Sequence, residues 1–443
     1  MTHYKAALAM LAIPLVARAQ LELRVPPVKL SLHQAVLMAL STGSDPRLEL
    51  TQVAVHQAEA RVREESATLR PSVDAYITGQ GLNRSLDAFG LGSVQLPGKF
   101  EFPATVGPFG ILDTRVSASQ DLLGLMARRR VAASRSEAGA VKEESRAARN
   151  TIAAQVATRY LAVLRVAGLE EASRAGVMVA EAWLDTTRHR QGAGQATALD
   201  VSRAAAQLSG GRQRLAEGQS DRVVAVLELL RETSLAMETS LELTDTLEAM
   251  RSPESDVAEM VQTALRNRAE LTALEKRIES DRLNERAAEA ESLPTLTAFA
   301  DFGALGSARI WPTYTLGLSL RVPVFDGGRR ESHRAEALAE VRQDELRAAD
   351  LRRQIELDVR RAHEKLRLAA GQIEATQESV ELAGEELTHA RRRFDAGLIL
   401  GVEIIEAQSR LARARDDRVA AQYRRGQAIV DLASAMGVCD SFF

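Results

Sequence analysis

Two long intervals of this sequence, residues 109–252 and 324–443, contain no proline. All twelve prolines lie outside them, in the opening segment and in the stretches 71–108 and 253–323. Proline inside a helix removes a backbone hydrogen bond and clashes with the preceding turn, at a cost of about 3 kcal/mol. Very long unbroken helices are therefore permitted in these two intervals, and the segments between them must be shorter.

The second proline-free interval carries a repeating apolar pattern. Its positions are spaced alternately four and three residues apart: Ile355, Val359, Ala362, Leu366, Ala369, Ile373, Thr376, Val380, Ala383, Leu387, Ala390 and Phe394. A sustained period of about 3.5 residues predicts helices that supercoil around a neighbour. A weaker form of the same pattern lies at the corresponding positions of the first interval: Ile152, Val156, Val163, Val166, Val177, Ala180 and Leu184.

The alignment of these two patterns also aligns two turns, RQGAGQATALDV at 190–201 and RFDAGLILGVEI at 393–404. A slightly longer shift superposes Pro71 on Pro294, each placed to close a helix and open a strand. These matches indicate an internal duplication. We predict a first repeat at 20–250 and a second at 251–443, each containing a helical hairpin. The predicted hairpin tips lie near 191–198 and 395–401.

Between the helical intervals, residues 313–322 alternate strictly between apolar and polar side chains, which predicts a strand with one apolar face. Its apolar positions include Tyr314, Leu316, Leu318 and Leu320. Weaker alternation predicts strands near 72–80, 112–121 and 296–304. Each segment approaches the roughly 9 to 11 residues that a tilted strand needs to cross a bilayer.

Ten of the seventeen aromatic residues lie in two windows around these strands, 76–109 and 299–325. Aromatic girdles at both membrane interfaces are typical of outer-membrane barrels. The alternative is a pair of soluble β-hairpins with a small core of their own. Four strands cannot close a barrel, because the smallest of this type need about eight. If these strands cross a membrane, they must therefore come from more than one copy of the chain.

The N-terminus resembles a secretory signal: Lys5, an apolar run at 6–17, and Ala17-Arg18-Ala19 before Gln20. We predict a signal peptide at 1–19 that is removed after Ala19; the alternative is a buried N-terminal helix. No later stretch provides the roughly 18 to 20 consecutive apolar residues of a membrane-spanning helix. A membrane crossing would therefore use strands.

Several other functions have no support in the sequence. The formal net charge of −3 does not favour nucleic acid. The seven histidines are scattered, and no motif of metal catalysis or nucleophilic catalysis is present. We expect no catalytic residue, no metal and no cofactor. The single cysteine, Cys439, cannot form an internal disulfide.

In this order the motifs resemble the TolC-like outer-membrane efflux protein family over essentially all of the mature chain. The matching segments are LSLHQAVLMAL followed by DPRL, LRPSV, SLPTL, VPVFDGGRR and the two glycine-containing turns. The resemblance implies a mostly α fold with a small β part and an internal two-fold repeat. Long coiled-coil helices would form a periplasmic α-barrel, and a homotrimer would give four strands per protomer to one transmembrane β-barrel. Such a protein is a passive outer-membrane exit channel without enzymatic activity.

The resemblance also implies partners: a periplasmic adaptor (membrane fusion) protein, an inner-membrane pump and outer-membrane lipid. The adaptor would contact the hairpin tips, at Gly194, Leu199, Gly397, Leu398, Ile399 and Leu400. The alternative is that these side chains only join the two helices of each hairpin.

Acidic residues are expected at the closed mouth of such a channel. By the resemblance, Glu403 and Glu406 would form a cation-favouring ring with Asp200; the alternative is an ordinary solvated helix face. The polar lock of some members is absent, because its aromatic position is Phe394, without a hydroxyl, and its arginine position is Ile399.

Two other classes compete with the channel. A coiled-coil scaffold would explain the heptads but not the signal or the alternating strands. A periplasmic adaptor would carry one helical hairpin rather than two duplicated halves. The sequence leaves open whether a drug, a metal ion or a polypeptide is exported.

Overall fold

The computed structural model describes residues 27–41, 43, 45–90, 103–250, 256–307 and 309–443. The predicted signal peptide at 1–19 lies outside the described residues, and so do Phe100 and Phe102 of the first aromatic window.

One order of elements, β-α-α-β-β-α-α, occurs twice in the chain. The first set comprises β1 (Val28–Leu30), α1 (Leu32–Ala39), α2 (Pro46–Ala67), β2 (Ser72–Ser85), β3 (Thr105–Asp121), α3 (Leu125–Gly192) and α4 (Ala198–Glu232). The second comprises β4 (Leu241–Leu243), α5 (Val257–Asn267), α6 (Ala269–Ala290), β5 (Thr295–Gly306), β6 (Ile310–Arg321), α7 (Arg329–Asp395) and α8 (Gly401–Met436). A short 3₁₀ helix, Asp87–Phe89, follows β2, and α9 (Cys439–Phe442) follows α8.

By element order the second repeat begins at β4, before the predicted boundary at residue 250. β4 is assigned to the second repeat because it pairs with β1, the strand that opens the first repeat. The pairing is parallel and places Leu30 opposite Leu243. Strands of three residues are too short to leave a periodic signal in the sequence.

The two long helices, α3 and α7, have 68 and 67 residues, or about 100 Å each at 1.5 Å per residue. Glycines in the left-handed region precede both: Gly124 (φ 54°) and Gly328 (φ 89°). None of the twelve heptad positions of α7 is exposed. Ile355 and Val359, both 0% exposed, belong to a core shared with α5, α6 and α8. The heptad therefore marks the face of α7 that contacts its own chain.

The helices form a layer whose order can be followed from one contact to the next. Near the strands the order is α2, α3, α6, α7, and near the hairpin turns it is α4, α3, α8, α7. Helix α3 also contacts α1 and α9. The layer thus has two lateral edges, one formed by α2 and α4 and the other by α7.

A polar contact joins the first repeat to the start of the second. The buried Tyr160 hydroxyl lies 2.9 Å from the carbonyl oxygen of Leu30 and 2.9 Å from the Asp245 carboxylate, two acceptors for its single proton. The backbone N–H of Leu32 donates to the same carboxylate at 2.7 Å. Burial, followed by the bond to Asp245, raises the pKa of Tyr160, so the phenol stays protonated and donating.

Helix α3 is the one described helix with a segment long and apolar enough, by length and composition, to cross a membrane. No 18 consecutive residues of α3 are free of charged side chains, so the prediction from the sequence, which concerns unbroken apolar runs, is not contradicted. The segment is 39% buried within the chain, and α3 packs against six other helices. The buried part of this segment therefore has protein partners within the chain.

Candidate functional site

The four longer strands form one antiparallel sheet in the order β2-β3-β5-β6. Each repeat contributes a hairpin, and β3 pairs with β5 to join them. The strands overlap the four predicted segments. β2 begins where the prediction places it and continues to Ser85, whereas β3 begins at Thr105, before the predicted residue 112.

One face of this sheet is apolar across all four strands. Residues directly opposite each other share a face, and the register matches Leu316 with Ala300, Ala300 with Ala118, and Ala118 with Val73. The predicted positions on β6 are highly exposed: Tyr314 76%, Leu316 73%, Leu318 67% and Leu320 64%. On the same face Phe302 is 67% exposed and Ile77 76% exposed. Together these side chains form a continuous exposed apolar surface, whereas a soluble protein normally exposes its apolar residues singly.

The opposite face is mostly polar. Its members include Asp74, Thr78, Asp113, Arg115, Ser117, Asp301, Thr313, Thr315 and Ser319. Arg115 Nε donates to Asp113 Oδ1 at 2.9 Å, and Ser117 Oγ donates to Asp301 Oδ1 at 2.6 Å. One face therefore suits lipid and the other suits water, as in a transmembrane barrel wall.

The sheet is open, because β2 and β6 each pair on one side only. Inside the sheet, Gly317 is covered by the ring of Phe299: a Cβ at Gly317 would lie 2.5 Å from Phe299 Cζ. The ring thus occupies the space that a side chain on β6 would need.

The two hairpin turns share one backbone motif. Gly194 (φ 75°) and Gly397 (φ 72°) follow α3 and α7 in the left-handed conformation. In the first turn the Gln195 N–H donates to Arg190 O, and in the second the Leu398 N–H donates to Arg393 O, at 2.8 and 2.9 Å. This is the Schellman arrangement, which glycine adopts without strain.

Near the turns an aromatic and ionic contact joins the two hairpins. The rings of Trp183 and Phe394 meet edge to face at 4.9 Å between centroids, and the Arg190 guanidinium lies 4.3 Å from the Phe394 centroid. Arg190 also forms an ion pair with Asp395 at 3.0 Å. A Cβ on Gly401 would lie 3.4 Å from Trp183 Cζ2. We call Trp183, Arg190, Phe394 and Asp395 the hairpin staple.

The hairpin staple has no signature in the sequence. The repeats align Arg190 with Arg393, but this alignment does not show that Arg190 faces Phe394 and Asp395 of the other repeat. The only available signal is the position of Phe394 at the end of the heptad.

The predicted tip residues divide into two groups. Leu199, Leu398 and Leu400 are 57%, 69% and 72% exposed and form an apolar rim. Ile399 instead packs against the core shared by the two hairpins. Ile399 is half-buried, which fits the alternative that this side chain joins the helices of the hairpins, and its contact with an adaptor stays a prediction.

The three predicted acids occupy different environments. Asp200 caps its own helix: its Oδ2 accepts from the Thr197 hydroxyl at 2.7 Å and from the Thr197 N–H at 3.0 Å. These bonds hold the pKa of Asp200 below its usual value. In the second repeat Leu400 stands where Thr197 does and makes no side-chain cap. Glu403 thus has no such bond.

Glu403 and Glu406 are both exposed, three residues apart on α8. The closest cation to Glu406 in the described ranges is Arg410, at 3.8 Å. Arg410 is itself held by two bonds to Glu386, at 2.6 and 3.0 Å. The carboxylates of Glu403 and Glu406 are therefore accessible from the space at the hairpin ends. Within the described residues, no cluster of three or more His, Cys, Asp or Glu is placed to hold a metal ion.

Comparisons with known proteins agree on one family. The family model described as outer membrane efflux protein matches residues 37–233 and 260–438. The pyoverdine export outer membrane protein OpmQ of Pseudomonas putida is 27% identical over 423 residues, covering 92% of this chain and 85% of that protein. OpmQ of Pseudomonas aeruginosa is 28% identical over 296 residues, covering 65% of this chain but only 61%, less than two thirds, of that protein.

The fold agrees with that match. The solved structure of CusC has a TM-score of 0.81 at 17% identity, covering 93% of this chain and 92% of CusC.

Proposed function

This chain belongs to the outer membrane efflux protein family, and we propose that it acts as an outer-membrane efflux channel in which three copies form one passive duct. Each copy would give its four strands to a shared β-barrel, with the apolar sheet face toward lipid and the polar face toward the lumen. The predicted signal peptide would direct export and be removed after Ala19.

The open two-faced sheet is the observation that carries this proposal. An open sheet in lipid would leave the backbone groups of β2 and β6 unpaired, at several kcal/mol each. Pairing β6 of one copy with β2 of the next removes both edges. Three copies supply twelve strands, more than the roughly eight that the smallest barrels require, and three is the number that the family resemblance implies.

The long helices would continue the duct across the periplasm. At about 100 Å, α3 and α7 are long enough for such a tube. The exposed rim of Leu199, Leu398 and Leu400 is a surface of the kind that marks a protein partner. We assign it to a periplasmic adaptor, which would link the duct to an inner-membrane pump that supplies the energy.

A coiled-coil scaffold, the competing interpretation, does not account for the sheet. A scaffold in water would expose Tyr314, Leu316, Leu318 and Leu320 with no partner. The family match, which includes β2, β3, β5 and β6, also decides against it.

The proposal is tested by expressing the full chain, separating outer and inner membranes, and comparing gel mobility with and without heating. We expect an outer-membrane oligomer that dissociates on heating and gives a small conductance in a planar bilayer. A soluble monomer or dimer without conductance would contradict the duct.

A separate prediction concerns the carboxylates of Glu403 and Glu406 at the hairpin ends. Changing Glu403 and Glu406 together to Ala is expected to reduce the cation preference of the channel several-fold, because rings of carboxylates favour cations. The measurement is single-channel conductance and reversal potential in a salt gradient.

Glu171→Ala is the matched control, since Glu171 is an exposed acid in the middle of α3. It is expected to leave both values unchanged. An unchanged reversal potential in the Glu403/Glu406 double variant would place these carboxylates away from the conducting path.

A further inference from the structure

The aromatic side chains of β5 and β6 are divided between the two faces of the sheet. Phe302 and Tyr314 lie directly opposite each other on the apolar face. Phe299 and Trp311 lie three positions before them along their strands, so the alternation of a strand puts both on the polar face. The aromatic girdle predicted from the window 299–325 can therefore include Phe302 and Tyr314, whereas Phe299 and Trp311 face away from the lipid.

The two aromatic residues on the polar face have different surroundings. The ring of Phe299 covers Gly317, whereas Trp311 is 64% exposed. Leu305, directly opposite Trp311, and Ile111, two positions before Asp113 on the same face of β3, are half-buried. Trp311 is therefore the exposed part of a small apolar cluster on a face that is otherwise mostly polar.

This cluster lies at the end of the sheet that is far from the helices. β6 runs toward α7 and ends at Arg321. Trp311 is ten residues before that end, or about 33 Å at the rise of a strand. In the proposed duct, this position is inside the outer end of the barrel. The symmetry of three copies would place three indole rings at one level around the lumen.

The polar face next to Trp311 carries an excess of negative charge. The row that contains Trp311 and the two rows before it, toward the helices, contain the carboxylates of Asp74, Asp113 and Asp301 and the guanidinium of Arg115. Arg115 is held by Asp113, with Nε donating to Oδ1 at 2.9 Å. The charges of Asp74 and Asp301 are therefore not balanced within these rows, and rings of carboxylates in a pore favour cations.

The row of Asp74 and Asp301 lies four strand positions from the row of Trp311, or about 13 Å along the sheet. A solute that moves outward through the barrel would pass these carboxylates first and the indole second. The face of an indole attracts quaternary ammonium and other organic cations. A hydrated magnesium ion gives up its water reluctantly and gains little from such a face.

We propose that Trp311 and Leu305 form a contact site for organic cations inside the outer end of the barrel. Trp311 presents its aromatic face to the lumen, and Leu305 supports the apolar part of the solute. Asp74 and Asp301 raise the local concentration of cations on the way to this site. This inference rests on the proposed duct and names the class of cargo that the barrel favours, organic cations rather than anions or inorganic cations.

The direction of the Trp311 side chain is tested first, by fluorescence. The sequence has two tryptophans, so Trp183→Phe leaves Trp311 as the only one. The full chain with this change is placed in liposomes, and its emission is quenched either by acrylamide in the water or by phospholipids with brominated acyl chains. We expect strong quenching by acrylamide and little quenching by the brominated lipid.

The control for this measurement moves the tryptophan to the other face of the same strand. In Trp183→Phe/Trp311→Phe/Tyr314→Trp, the single indole lies three positions further along β6, on the apolar face. We expect the opposite result for this variant, with strong quenching by the brominated lipid. Quenching of Trp311 mainly by the brominated lipid would overturn the contact site, because the indole would then lie outside the lumen.

Binding is tested by the block of single-channel current in a planar bilayer. The probe is benzyltrimethylammonium, which carries a ring and a positive charge. Magnesium, a cation without a ring, and benzenesulfonate, a ring with a negative charge, are the comparison ions. We expect Trp311→Ala to raise the half-blocking concentration of benzyltrimethylammonium about two- to fivefold, as for a cation–π contact at an exposed ring. The effects of magnesium and benzenesulfonate should not change.

Three further variants separate the aromatic contact from a general disturbance of the barrel. Trp311→Phe keeps a ring and is expected to stay close to the wild type. Trp311→Leu keeps an apolar side chain without an aromatic face, so it is expected to show the same rise as alanine and replaces the alanine variant if that one fails to assemble. Tyr314→Ala removes an exposed aromatic residue from the lipid side and is expected to leave the block unchanged.

The outcomes distinguish this site from the duct itself. A channel that conducts, but in which Trp311→Ala or Trp311→Leu blocks at the same benzyltrimethylammonium concentration as Tyr314→Ala, would overturn the contact site and leave the duct standing. Absence of any conductance from the wild-type chain would overturn the duct and the contact site together.

Discussion

Replacing Leu318 with arginine is expected to abolish assembly in the outer membrane, whereas arginine at Ser319 is expected to be tolerated. Leu318 is 67% exposed on the apolar face of the sheet, and its neighbour along β6 points to the polar face. An arginine on the lipid side at the bilayer midplane costs about 2–4 kcal/mol. Every copy in the oligomer would carry that cost, while position 319 would place the same charge in water.

The measurement is the amount of heat-dissociable oligomer in the outer-membrane fraction, with total protein followed in the same cells. Because the two variants differ by one position in one strand, strand propensity and net charge are matched. Equal assembly of both variants would mean that the apolar face does not contact lipid.

The second large effect is expected from Trp183→Ala in the hairpin staple. Trp183 is 7% exposed and contacts Phe394 across the two hairpins. Truncating a buried aromatic to alanine typically costs about 3–5 kcal/mol. We expect the hairpin ends to separate, so that trypsin cleaves near Arg190 and Arg393 and the channel conductance rises. The sheet is far from this contact, so outer-membrane assembly should persist.

Trp183→Phe is the control for this variant. Trp183 Nε1 is buried without a hydrogen-bond partner in the described structure, so phenylalanine removes no hydrogen bond and retains a ring against Phe394. We expect resistance to trypsin close to that of the wild type. If the alanine variant is equally resistant, Trp183 does not hold the hairpin ends together.

The sequence predicts best those features that repeat along the chain. The spacing from Ile355 to Phe394 identifies the buried side of α7 because the helical period repeats over many turns. The alternation through Leu316 and Leu318 identifies the apolar side of β6 for the same reason. β1 and β4, with three residues each, contain too few positions to establish a period.

Contacts between distant residues are predicted poorly. Arg190 and Asp395 lie 205 residues apart along the chain, and no local rule pairs them. The alignment of the repeats matches Asp200 with Glu403. It does not show that Asp200 is hydrogen-bonded to Thr197 whereas Glu403 has no equivalent bond. Ile399 is adjacent to two exposed leucines, and only the backbone of the turn decides that it points inward.

The pairing of β3 with β5 has a consequence for the order of events during biogenesis. Each repeat makes only a two-stranded hairpin, which is marginally stable in water by itself. The pairing of β3 with β5 requires a strand that is synthesised about 190 residues after β3, since Thr114 is hydrogen-bonded to Ala304. A chain released after the first repeat would therefore expose β3 as an unpaired edge, which is a template for aggregation. Both repeats must be delivered together, so a chaperone that holds the unfolded chain has to protect it until the last strand has arrived.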